Sequence, residues 1–240
     1  MTKTTIAGPE PIAVQRGVSA APAPATPIDP NFYETQYQQA QGEIAQTPWS
    51  LGAPNPALVS WLNAQATSLV RPGCRVVVVG CGLGDDAIEL SHRGFDVTAF
   101  DLSPTAIQWA QQRFPQESQR FCVADVCSPP SHWRHRLDLV VDISTLSGVA
   151  PEHWAEMARG AADLLHPNGV MLIICAGRGD DEPAKPLDGP VSGPPYPLTA
   201  DELRQLLACN GLTLIGELED LMSDRSPPRR FFLGAFGRCG

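Results

Sequence analysis

Residues 76–90 read VVVVGCGLGDDAIEL. Four consecutive valines suit a strand buried on both faces, because β-branched side chains pack well on a pleated surface. Gly80, Gly82 and Gly84 then turn the chain, since glycine takes positive φ without steric cost. Asp85 opens a segment of helical period that runs to residue 92, and Gly94 ends it. Strand, glycine turn and helix form the first unit of an open α/β sheet, whose ligands bind outside the carboxyl ends of the strands. Such a turn usually cradles phosphate. Two carboxylates, Asp85 and Asp86, stand where the anion would sit, so the ligand needs another identity.

The same alternation continues downstream. Strand 95–100 precedes a helix from Ser103 with Pro104 in its first turn. Strands 120–124 and 137–142 follow, then a helix over 151–165 closed by the turn signal HPNG, then strand 170–175. Nearly all-apolar strands separated by helices predict a parallel sheet covered on both faces. Thr199 and Glu202 form a capping box for a helix that stops near Gly211. LTLIGELE and RFFLGAF are joined by too few residues for a crossover helix, so they are expected to pair antiparallel. Residues 177–198, rich in Gly, Pro and Asp, read as a lid or substrate loop. Upstream, PNFYETQYQQAQ reads as a short helix. In TPWSLGAPNPALVSWL, Asn55 is placed to cap a helix beginning at Pro56, with Leu58, Leu62 and Leu69 near one face and Trp61 beside them. Residues 1–30, containing SAAPAPATPIDP, read as a disordered tail, and residues 31–240 as one domain.

Of the 240 residues 43% are hydrophobic, enough for a sizeable core, and the net charge is −9. That charge argues against a nucleic-acid partner, which needs a basic face, and against an anionic membrane surface. The longest apolar stretch, 170–176, is too short to span a bilayer. The seven cysteines are odd in number and scattered, which suits reduced thiols in the cytoplasm. Cys122 and Cys127 have no matching Cys or His pair at zinc spacing, so no metal is expected.

Dinucleotide turns are spaced G-x-G-x-x-G, whereas this one is G-x-G-x-G with Asp85 at the third dinucleotide position. Carboxylates on the helix N-terminus would repel a pyrophosphate. S-adenosylmethionine carries a sulfonium and an ammonium instead, and its methionine end needs close approach to the main chain. Asp101 ends the second strand 21 residues after Gly80, where a carboxylate can accept both ribose hydroxyls. In FCVADVC, Asp125 follows a strand and could meet the adenine amine beside the Val126 backbone. Asp142 ends the next strand at the same rim.

Together these residues resemble a class I S-adenosylmethionine-dependent methyltransferase over about residues 45–237. The resemblance implies a Rossmann-like three-layer sandwich with a seven-stranded, mostly parallel sheet and the last strand antiparallel. It implies a cofactor site at Gly80, Cys81, Gly82, Gly84, Asp101, Leu102, Asp125 and Val126, with Asp142 and Ile143 bordering the methyl group. The segments around Trp49 and GPPYPLTADELRQLL resemble the thiopurine and thiol/halide methyltransferase branch, in which a Trp, here Trp49, closes over the cofactor. Two departures stand out. Val78 replaces the acid common in class I enzymes, and ISTLSGV follows the fourth strand where the branch often has aromatic or basic residues. The expected reaction is methyl transfer to a small molecule, a thiol or similar soft nucleophile that needs no base. An oxygen or nitrogen acceptor would want one, for which Asp142 and His153 are candidates. A catalytically silent binding module is the third reading. His132 and His135, in SHWRHRLD, read as solvated loop residues.

Overall fold

The computed structural model describes residues 31–182, 193–224 and 227–238. The expected tail and part of the expected 177–198 loop lie outside the described residues. Seven strands form one sheet: β1 (Arg75–Val79), β2 (Asp96–Asp101), β3 (Phe121–Val123), β4 (Leu137–Ile143), β5 (Leu165–Ala176), β6 (Leu212–Met222) and β7 (Arg230–Arg238). Their order is β3-β2-β1-β4-β5-β7-β6. The first five run parallel, and β7 lies between β5 and β6, antiparallel to both. This is the expected Rossmann-like architecture.

The helices are α1 (Phe32–Ala40), α2 (Pro56–Ala64), α3 (Ala66–Leu69), α4 (Asp85–His92), α5 (Pro104–Arg113), α6 (Trp154–Leu164) and α7 (Ala200–Ala208). The valine run serves both faces of the sheet. Val76 and Val78 enter one apolar layer with Leu58 and Trp61 of α2, Leu90 of α4 and Ile107 of α5. Val77 and Val79 enter the other with Met157 of α6 and Leu203 of α7. Val78, at the position of the common family acid, is therefore a core residue, 2% exposed. Local capping matches the sequence closely. Asn55 accepts from the Ala57 amide, Ser103 accepts from Ala106, and both halves of the Thr199–Glu202 capping box are present.

Three elements differ from expectation. The expected helix over 151–165 is a 3-10 turn over Pro151–His153 followed by α6. HPNG is a bulge inside an extended β5, not a terminating turn: Leu137 pairs with Leu165, but Leu139 pairs with Val170. At Gly169 a Cβ would lie 2.7 Å from the Leu137 carbonyl oxygen, so backbone proximity at the bulge demands the glycine. Finally, the helix expected from Pro56 breaks at Gln65, putting Leu69 on α3. Among the described residues, no helix is long and apolar enough to cross a membrane.

Candidate cofactor site

The strand order reverses between β1 and β4, which opens a crevice at their carboxyl ends. The glycine turn leaves β1 into that crevice. Gly80 and Gly84 are required there. Gly80 has φ 59°, and an added Cβ would lie 2.4 Å from Thr145 Oγ1. That hydroxyl donates to the Val79 carbonyl at 2.9 Å, so Thr145 pins the end of β4 against the turn. Gly84 has φ 90°, and its Cβ would strike the Phe121 ring at 2.7 Å. Between them Cys81 is buried and its amide donates to Phe100 O at 2.9 Å. Burial pushes its thiol well above the ordinary range, so it stays a thiol and packs as an apolar residue.

Asp101 lies beneath the turn. Its Oδ2 accepts from the Gly82 amide and its Oδ1 from the Ser103 amide, each at 2.9 Å. Burial raises its carboxyl above the usual range, while these amides oppose the shift. A carboxylate has about four lone-pair sites, so capacity remains for a diol. Leu102 and Val123 are large apolar side chains left 59% and 51% exposed at neighbouring strand ends. Asp125 is exposed and accepts from Cys127 N at 2.8 Å, and Val126 is buried beside it. The cradle thus offers a close main-chain approach, a diol acceptor and an apolar pair, which fits S-adenosylmethionine.

Asp85 and Asp86 behave otherwise than expected. Arg113 of α5 grips Asp85 through both guanidinium arms, at 2.6 and 2.7 Å, and also donates to Leu83 O at 2.7 Å. Asp86 accepts from the Asn55 amide at 2.6 Å, and burial pushes its carboxyl up to about 6. Neither carboxylate is a free charge that repels phosphate. Asp85 fastens the turn to α5, and Asp86 fastens α4 to the start of α2.

The candidate bases are also engaged or exposed. Asp142 is 2% exposed, and its Oδ1 accepts from the amides of Thr145 at 3.0 Å and Leu146 at 3.2 Å. Burial raises its carboxyl to about 7 against those two amides. It caps the turn over Leu146–Gly148. Ile143 is half-buried and packs against the α2–α5 layer, and His153 is exposed at the N-cap of α6. Ends of the expected 177–198 loop are tied down near the rim: Arg178 donates to Pro197 O, Glu182 O and Glu202, and Tyr196 N donates to Ser147 O.

Sequence reasoning foresaw α1 as a short helix but missed its place over the turn. The Tyr37 hydroxyl is 3.0 Å from the Cβ position of Gly82 and accepts from Trp49 Nε1 at 2.8 Å. Tyr33 donates to Gly148 O at 2.7 Å. Both tyrosines pack edge-on against Trp49, with ring centroids 5.2 and 5.6 Å away. The i,i+4 spacing of Tyr33 and Tyr37 was the available signal.

Known proteins are similar to this chain in sequence and in fold. Residues 76–169 match a family model described as a methyltransferase domain. The chain is 23% identical over 180 residues to the probable thiol methyltransferase 2 of Arabidopsis thaliana, covering 74% of each. It is 45% identical over 60 residues to the magnesium-protoporphyrin O-methyltransferase of Rhodobacter capsulatus, 24% of this chain and 27% of that protein. The fold matches the Burkholderia thailandensis 1,6-didemethyltoxoflavin-N1-methyltransferase, solved with S-adenosylhomocysteine, with a TM-score of 0.65 and 20% identity over 98% of this chain and 100% of that one. A glycine turn on β1, an acid ending β2 and an antiparallel β7, together with these relatives, make the chain a class I S-adenosylmethionine-dependent methyltransferase.

Proposed function

We propose that this enzyme methylates a small molecule carrying a soft nucleophile, a thiol or its like, within a single domain from residue 31 onward. The observation that carries the reading is the placement of the two candidate bases. Asp142 is committed to two backbone amides, and His153 is exposed on a helix end. A thiol acceptor supplies its own nucleophile as the thiolate, so neither residue needs to take a proton. The similarity to a probable thiol methyltransferase supports the same acceptor class.

The residues divide the work as follows. The Gly80–Gly84 main chain receives the methionine end, and Asp101 the ribose hydroxyls. Leu102 flanks adenine, while Asp125 and the Val126 backbone meet its amine. Bound S-adenosylmethionine supplies a methyl group on a cationic sulfur. Trp49, with Asp142 and Ile143, bounds that region and excludes water, and holding both reactants in line can supply about 7–11 kcal/mol. The free thiols of the described cysteines support a reducing, cytoplasmic setting.

An oxygen or nitrogen acceptor is the second reading. It is favoured by the Asp142 carboxyl at about 7, close to the optimum for a general base. Steady-state kinetics on thiols, selenols, phenols and amines separates the two. The thiol reading expects a rate that rises with pH toward the acceptor's own pKa, about 8.5 for an alkyl thiol. It also expects a loss below about tenfold for His153→Ala. A preference for phenols or amines, with a hundredfold or greater loss in His153→Ala or Asp142→Asn, would overturn it.

A further inference from the structure

Helix α1 lies against the glycine turn, beside the Gly82–Asp101 pair. Tyr37 stands against Gly82, and Tyr33 ties the helix to Gly148 across the crevice. Both tyrosine hydroxyls are pushed up, by burial first and by the Asp101 charge second. Yet α1 is weakly anchored by apolar packing: of its nine residues only Tyr37 and Ala40 are buried. Its strongest polar anchor is Glu34. One carboxylate oxygen accepts from Ser103 Oγ at 2.6 Å and from the Thr105 amide at 3.2 Å; the other accepts from Thr105 Oγ1 at 2.6 Å. These groups form the N-terminus of α5, where a negative charge is favoured. Ser103 is shared, because its amide also donates to Asp101. The chain leaves α1 through two consecutive left-handed residues, Gln41 at φ 47° and Gly42 at φ 93°, with open space around the Cβ position of Gly42.

We propose that Glu34 is a latch, a positioning residue that holds α1 with Tyr33 and Tyr37 over the cofactor turn. In this device α1 swings about Gln41–Gly42 to admit S-adenosylmethionine and release its product. The proposal rests on the assignment of Gly80–Gly84 and Asp101 as the cofactor cradle. A gate leaves a kinetic signature that a lost binding contact does not. If only the open form exchanges ligand, weakening the closed form raises association and dissociation together. A lost contact raises dissociation alone.

The test is stopped-flow measurement of S-adenosylhomocysteine binding and release by the full chain, with no acceptor present. Glu34→Ala removes the charge-assisted hydrogen bonds from three donors at the N-terminus of α5, along with that from Gln38 within α1, and is expected to raise both rates about tenfold. Glu34→Gln keeps one acceptor oxygen and should fall between the variant and the parent. Gly42→Ala is an independent variant, because a Cβ there clashes with nothing but strains the left-handed backbone, and it should raise both rates about fivefold. Unchanged rates in folded Glu34→Ala, or faster dissociation with unchanged association, would overturn the latch. Should Glu34→Ala not fold, unchanged rates in Gly42→Ala would overturn it equally. Failure of the unaltered protein to bind S-adenosylhomocysteine would overturn the cradle, and the latch with it.

Discussion

The Asp85–Arg113 pair bears the strongest quantitative expectation. Its two side chains are 15% and 23% exposed, and both guanidinium arms meet both carboxylate oxygens. Breaking a fully buried pair from one side costs about 3–5 kcal/mol, because a charge is stranded away from water. Partial exposure here lowers that figure, and Arg113→Met is expected to cost about 2–3 kcal/mol. The loss includes the hydrogen bond from Arg113 to Leu83 O. For a chain of this size that corresponds to a fall in melting temperature of about 4–12 °C. Asp85→Ala should cost less, about 1–2 kcal/mol, since Arg113 keeps Leu83 and can lean toward solvent. The double variant should then be less destabilised than the sum by about 1 kcal/mol. Denaturant titrations of all four proteins give this coupling. Additivity to within about 0.3 kcal/mol would refute a working ion pair. The cofactor gives a second check: a charge already matched by Arg113 does little to the ligand, so Asp85→Ala should shift S-adenosylmethionine affinity less than about threefold, or 0.7 kcal/mol. A much larger shift in a folded variant would restore Asp85 as a ligand-facing charge.

Gly80→Ala should lose at least about tenfold in S-adenosylmethionine affinity, measured by calorimetry, because the new methyl meets Thr145 Oγ1 at 2.4 Å in a left-handed backbone. Pairing it with Thr145→Ser, which removes one of the clashing atoms, should recover part of the loss. Asp142 sets a pH dependence. Its carboxyl rises from 3.8 to about 7 on folding, so the folded chain holds a proton that the unfolded chain releases. Its contribution is present in full below the unfolded value and falls as pH rises from about 4 to about 7, by at most about 4 kcal/mol. Asp142→Asn keeps an acceptor for Thr145 and Leu146 while removing the titration. Denaturation between pH 4.5 and 7.5 should therefore show the unaltered protein losing stability relative to the variant, and parallel curves would disprove the shift.

The sheet was legible because its signal is local. Each strand is a short apolar run bounded by Gly, Pro or Asp, and the short link from β6 to β7 leaves only antiparallel pairing. The bulge at HPNG was not legible, since proline and glycine mark a bulge with the same residues that mark a turn. The partner of Asp85 lies 28 residues away on α5, and spacing carries no information about such a pair. For α1 the difficulty is different. It contributes two buried residues to the interior, so no apolar period reveals its docking, and its anchors are hydrogen bonds to groups far away in sequence. Asp142 shows the limit of reading an acid at a strand end, because a carboxylate there can face the ligand or cap the next turn, and here its bonds go to the turn.

The acids at or just past the strand ends that pointed to a ligand from the sequence all hold backbone amides. Asp101 takes those of Gly82 and Ser103, Asp125 that of Cys127, Asp142 those of Thr145 and Leu146. The physical reason is common to them. Where a parallel strand ends, the ladder stops supplying acceptors, and the first amides of the following turn need a partner. A carboxylate accepts several at once, so it fixes the turn and still has lone pairs to offer a ligand. Exposure then separates the two duties. Asp125 is exposed and Asp101 half-buried, so each retains a path to a bound molecule, whereas Asp142 is sealed at 2%. The same residue type thus grades from ligand acceptor to internal cap along one rim. That gradient leaves Asp101 and Asp125 with lone pairs open to a ligand, and it leaves Asp142 the duty of fixing the turn over Leu146–Gly148.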